Sequence, residues 1–434
     1  MGNEETLRFQ AAIYRSWYKF MGSISKFHFL FKYYWLYVFT LMFTVIVLTD
    51  SFLNPPLRVY SLIIAIASST FGIVVLMKET FRVLGLSDLS GCPDNKSKLL
   101  DQVKLIAPYD VFKLFGSGDE RAIYNEELNI RLLQVNLKFK RESEVFKLTQ
   151  SVRKLAPFSI DYQFRFGKAL RNFPKVRLAS DLTIKTFEEN NTLSLQRTDY
   201  FSSLCTNEMT GIIVSPKDRP TSVEFDGLAF MCDENKHLLD LSASSCSNHI
   251  GVNVIAFTKD SFMLILIQSM DSAQGRLEYA PSGSGSADFK DYVQHGDNFI
   301  IAAMKRELAE ECNVKGKMKK EFMTVIETKL IGYARNLGRG GKPEFFGVSF
   351  INKNYEEIKG LSAQEMMFIE RVKPIRFGTT SKEAILDGLE EIKKDESRRR
   401  SIALELNLLF LEQSLNSNCE RVMNLIQGKT TRRN

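Results

Sequence analysis

Two uncharged stretches near the N-terminus constrain this chain more than any other feature. Tyr33 to Thr49 reads YYWLYVFTLMFTVIVLT, and Val59 to Met77 reads VYSLIIAIASSTFGIVVLM. As helices they would run about 26 and 28 Å, against a bilayer hydrocarbon core of about 30 Å. Only 32 residues precede the first stretch, too few to wrap it as a core helix, so the pattern predicts two membrane spans. Between them lies Pro55-Pro56, which cannot continue a helix and forces a turn. Arg8, Arg15, Lys19, Lys26 and Lys32 precede the spans, and Lys78, Arg82, Lys96, Lys98 and Lys104 follow them. The connector holds only Arg58. Such asymmetry predicts that both termini are cytoplasmic. Neither span contains Asp, Glu, Lys, Arg or His, which excludes a proton relay or ion carrier built from the hairpin alone. Ala65 with Ser69, and Ser68 with Gly72, stand four apart, a spacing that lets helices approach closely within the hairpin or between chains.

The remainder is ordinary globular material. Of 434 residues, 44% are hydrophobic and 25% charged, which excludes collagen-like and disordered chains and suits two or three domains. A net charge of +7 is too small to argue for a nucleic acid polymer as partner. Six cysteines are scattered without a CxxC pair, and His28, His237, His249 and His295 have no metal-ligand spacing. Zinc ribbons and secreted disulfide scaffolds are therefore excluded. The expected organisation is a cytosolic segment at 1–32, the hairpin at 33–77, a helical connector at 78–180, and an α/β domain with C-terminal helices at 181–434.

That last region carries the chemistry. VNVIAF and FMLILIQ flank Thr258-Lys-Asp-Ser261, which reads as a β-hairpin. A Gly/Ser-rich loop, Pro281 to Asp288, precedes a helix expected from Phe299 to Val314. Glu307, Glu310 and Glu311 fall at i, i+3 and i+4, within about a 100° arc of one helix face. Clustered carboxylates repel one another unless cations intervene. Two readings follow: a site for a hard, oxygen-ligated divalent ion, or an acidic solvated face neutralised by Lys305 and Arg306.

The order of residues adds a resemblance. Arg306-Glu-Leu-Ala-Glu-Glu-Cys-Asn-Val314 is similar to the REUxEExGU half of the Nudix box, in which U is aliphatic. The resemblance implies an α/β/α sandwich, with Glu307, Glu310 and Glu311 binding Mg²⁺ or Mn²⁺ and Arg306 orienting a glutamate. The family's final glycine is Asn313 here. Its Gly-x5-Glu half is out of register, because Asn298 stands eight residues before Arg306. Downstream, Arg339-Gly-Gly-Lys-Pro-Glu-Phe-Phe346 resembles a segment of some longer Nudix proteins, implying ligand contacts from Arg339, Lys342 and Glu344, with Glu344 a further metal ligand or base. The alternative for this segment is an ordinary surface turn. The resemblance covers roughly 250–375 and extends back towards 185 through YFSSLCTNEM.

Two spans joined to a Nudix-like domain resemble the transmembrane Nudix effectors of bacterial CBASS antiphage systems. That implies a domain that senses a cyclic nucleotide, oligomerises its hairpins in the inner membrane, and disrupts the bilayer. The competing expectation is a membrane-tethered, Mg-dependent hydrolase of nucleoside diphosphate derivatives, with metal activating the attacking water. At the C-terminus, Lys382 to Lys394 and the leucine-rich stretch after Arg398-Arg-Arg400 predict helices that pack or dimerise. The arginines are alternative contacts for phosphate or lipid.

Overall fold

A computed structural model describes residues 3–53, 63, 67, 70, 89–92, 96–165, 170–269, 277–312, 317–358, 368–377, 381–417 and 419–429. Its architecture is mixed α/β. The described residues form three sheets. One is small and contains β1 (Leu89–Cys92), β7 (Ile213–Pro216) and β8 (Phe225–Asp226). A second joins β4 (Lys138–Val145), β6 (Thr192–Asp199) and β5 (Pro174–Leu178) in that order.

The third sheet has nine strands. Its main path is β11 (Tyr279–Ala280), β10 (Phe262–Gln268), β9 (Gly251–Thr258), β14 (Lys342–Ile351), β13 (Ile326–Asn336), β3 (Glu120–Tyr124) and β2 (Lys113–Ser117). Beyond that path, β12 (Gly283–Ser286) pairs with β9, and β15 (Ile369–Arg376) pairs with β10. The β9–β10 hairpin forms where the β-rich runs place it, with Met263 opposite Phe257. β9 and β14 run parallel, Glu344 beside Gly251 and Phe346 beside Asn253.

Both central strands are buried along their whole length, because helices cover both faces. On one face Val252, Val254 and Phe345 join Ala303, Met304 and Leu308 of the acidic helix Phe299–Glu311. On the other, Ile255, Phe257, Phe346 and Val348 pack with Leu404, Phe410, Leu411 and Leu415 of the helix Ile402–Ser417. The expected C-terminal helices are thus packing elements. Their arginines pair with carboxylates, Arg399 with Glu120 at 2.6 Å and Arg400 with Glu405 at 3.5 Å.

Two expectations are corrected. Among the described residues, no helix is long and apolar enough to cross a membrane. The two-span hairpin, the inner-membrane location with both termini cytoplasmic, and membrane disruption therefore do not stand. The first apolar run is the end of one helix, Asn3–Leu53, and not a separate element. That helix is fastened to the folded body through buried Phe29, whose ring meets Phe201 edge-on, and through Lys26 paired with Asp161. The second run lies outside the described residues apart from positions 63, 67 and 70. The connector is also not simply helical. It supplies β2 and β3 to the main sheet and β4 and β5 to the second. Lys138–Val145 hides its strand character because most of its residues face solvent, leaving little apolar alternation to read.

Candidate functional site

Main-chain packing creates the site. The acidic helix lies against the edge strand β12, and side chains at Gly283 and Gly285 would prevent this. A Cβ at Gly283 would stand 2.7 Å from the Leu308 nitrogen, and one at Gly285 would collide with the Glu307 carboxylate. The outer edge of β12 then serves the glutamates. The Ser284 amide donates to Glu311 at 2.8 Å, and the Ser286 amide donates to Glu307 at 3.3 Å. Ser282 anchors the loop by accepting from the Ala256 amide at 2.7 Å and donating to the Leu264 carbonyl.

Arg306 is the hub. Its Nη1 donates to Glu307 at 2.8 Å and Glu310 at 3.0 Å. Its Nε and Nη2 grip both oxygens of Asp291, and Nη2 also reaches the Ser286 carbonyl at 3.0 Å. Burial opposes the guanidinium charge, but Glu307, Asp291 and Glu310 together outweigh it and hold the proton more firmly than usual. Glu307 also holds its proton more firmly than usual, which for a carboxyl disfavours the charged form. Burial and then neighbouring Glu310 raise its proton affinity, with Arg306 offsetting part of that effect.

Asp291 was not foreseen from the sequence. It stands six residues after Gly285, a spacing like the Gly-x5-Glu of the pattern with aspartate in place of glutamate. Fourteen residues separate it from Arg306, where the pattern has seven. The residues between include most of the helix Phe289–His295 and the turn Gly296–Asn298. Asp297 ties the insertion to β4 by accepting from the Phe139 amide at 2.8 Å. Phe289 packs under the guanidinium groups of Arg141 and Arg197. Asp288 pairs with Lys175 at 2.7 Å. Its burial favours the neutral form, but Lys175 and Arg306 win and hold the carboxyl down at about 2.

The RGGKPEFF segment is no surface turn. Gly340 and Gly341 take positive φ, which glycine adopts without a Cβ penalty, and β14 starts at once with buried Lys342 and Glu344. Lys342 Nζ lies 3.4 Å from Glu344, and Arg339 lies 3.8 Å from it. Arg339 is held chiefly by Glu208, at 2.8 Å from Nε and 2.5 Å from Nη2. The Asn207 amide donates to the Arg339 carbonyl at 3.0 Å. Both partners belong to the stretch YFSSLCTNEM.

Register links the two motifs across β9. Asn253 donates to Glu344 at 3.4 Å and accepts from the Ser284 hydroxyl at 2.8 Å, while the Ser284 amide reaches Glu311. Glu344, Asn253, Ser284 and Glu311 thus form one continuous line. Gly251 leaves room beside it: a Cβ there would stand 2.9 Å from both Lys342 Nζ and Glu344 Cγ. Burial, then Arg339, lowers the Lys342 ammonium to about 8.

The hard carboxylate oxygens of Glu307, Glu310 and Glu311 fit Mg²⁺ or Mn²⁺ chemically. In this geometry, however, Glu307 and Glu310 turn to Arg306, and Glu311 turns to the Ser284 amide. No group of three or more His, Cys, Asp or Glu is arranged to hold an ion among the described residues. Asn313, at the position of the family's final glycine, lies outside the described residues. No protein-family model matches this chain, and no curated protein matches it.

Proposed function

We propose that this chain is a nucleotide receptor with a Nudix-like site, and that its ligand is a cyclic nucleotide second messenger. The supporting observation is the line Glu344–Asn253–Ser284–Glu311, which joins the basic glycine loop to the acidic helix through direct side-chain and amide contacts. Phosphate oxygens need cations and N–H donors; Glu310 and Glu311 are the residues that would hold a divalent ion, which would supply positive charge for those oxygens. The chain's own residues do the remaining work. Arg306 fixes the direction of the glutamates, while Arg339 and Lys342 offer positive charge on a rigid turn. The role that suits such a receptor is the sensing part of an antiviral CBASS effector, its ligand favouring one state of assembly of a homo-oligomer by binding that state more tightly.

A hydrolase of nucleoside diphosphate derivatives is the second reading. Its support is the pairing of Asp291 with Arg306, which restores the Gly-x5-acid half of the box. One experiment separates the two. The full-length chain is given cyclic dinucleotides and nucleoside diphosphates with Mg²⁺ or Mn²⁺, and binding and product release are measured together. The receptor reading expects binding without products. Product release that Glu310→Gln and Glu311→Gln abolish would favour the enzyme, and no binding of any nucleotide would remove both.

A further inference from the structure

Just before β9 the chain buries a histidine. His249 has no exposed surface, and among the described residues neither ring nitrogen has a hydrogen-bond partner. Its ring meets that of Tyr200 edge-to-face, centroids 5.9 Å apart. An orphaned buried polar atom destabilises a fold, so a site that keeps two of them needs a reason.

The surroundings supply one. His249 lies two residues before Gly251, and the Lys342 ammonium packs against that glycine, 2.9 Å from where a Cβ would stand. After burial, the charges that act on it most are Lys342, Arg339 and Lys175, all positive. Each of these cations has its carboxylate: Glu344, Glu208 and Asp288. No carboxylate is among the leading influences on the ring itself. Lys342 is also under-used, since among the described residues its three N–H groups meet only Glu344, at 3.4 Å.

We propose that His249 and Lys342, with Arg339 and Lys175 around them, form the pocket for one phosphoryl group of the ligand. A phosphate oxygen there accepts from an imidazole N–H and from the Lys342 ammonium, and satisfies donors that are otherwise unmet. The pocket is distinct from the carboxylates of the acidic helix. This inference rests on the phosphate-recognising reading above and adds the residue that carries it deepest.

The test is calorimetric titration of the full-length chain with inorganic phosphate and, separately, inorganic pyrophosphate. His249→Phe and His249→Leu remove the ring nitrogens and keep an apolar group in the space. Both should fold, because the nitrogens bond to nothing in the ligand-free protein, and both should weaken pyrophosphate binding by about tenfold or more. Lys342→Met should do the same. Wild-type affinity in either histidine variant, or loss of the fold in both, would overturn the pocket while leaving the receptor proposal intact. A wild-type chain that binds neither anion and no nucleotide would defeat the receptor proposal itself.

Discussion

The acidic edge and the basic floor of the site are built on opposite plans. At the edge, every charge is matched: Arg306 meets Asp291, Glu307 and Glu310, and β12 amides meet Glu307 and Glu311. At the floor, among the described residues, His249 is buried with two unmet nitrogens under the influence of cations. A saturated network holds its shape without a ligand, whereas an unsatisfied one is stabilised only when something arrives. The pairing of the two suits recognition: the edge sets geometry in advance and the floor supplies affinity.

The comparison breaks most readily at Asp291. Asp291→Ala leaves Arg306 buried with three of its six hydrogen bonds gone, and a broken buried ion pair costs about 3–5 kcal/mol. Urea denaturation should place this variant among the least stable single substitutions in the chain. Gly283→Ala comes next. Its Cβ would press on the Leu308 backbone at 2.7 Å, and overpacking of this kind costs about 1–3 kcal/mol, so the acidic helix must shift and the midpoint must fall.

Asp288 gives the comparison a pH axis. Its folded-state value of about 2 lies below its ordinary 3.8, so its contribution is present above pH 3.8 and is lost as pH falls through about 2. Asp288→Asn should destabilise the chain by about 2 kcal/mol near neutrality, and melting curves of variant and wild type should converge at the acid end. A gap that stays constant with pH would show that Lys175 and Asp288 do not interact as described. The smallest effect belongs to the floor, and its sign is opposite. His249→Phe should raise ligand-free stability by about 1 kcal/mol by removing one buried N–H donor and one buried acceptor nitrogen that are unmet. Equilibrium denaturation without ligand reads it, and a loss of stability there would contradict an unpartnered ring.

Much of the edge was legible in the sequence and little of the floor. The hairpin of β9 and β10 follows from two apolar, β-rich runs around a turn, and the Glu307, Glu310 and Glu311 face of the helix at Phe299 follows from helical spacing. Asp291 was hidden because fourteen residues separate it from Arg306 and only the folded chain brings the two together, although its spacing from Gly285 was a readable signal. His249 offered none, because an isolated histidine next to Asn248 becomes informative only through what surrounds it. The apolar run at Tyr33 misled for a related reason. Hydropathy registers the run but not the helix that begins at Asn3 and is fastened by Phe29 and Lys26.

The most direct measurement is nucleotide binding by the full-length chain, with and without Mg²⁺, across cyclic dinucleotides and nucleoside diphosphates. The account predicts saturable binding that weakens about tenfold or more when Lys342 becomes methionine. Undetectable binding to every nucleotide under both conditions would contradict it.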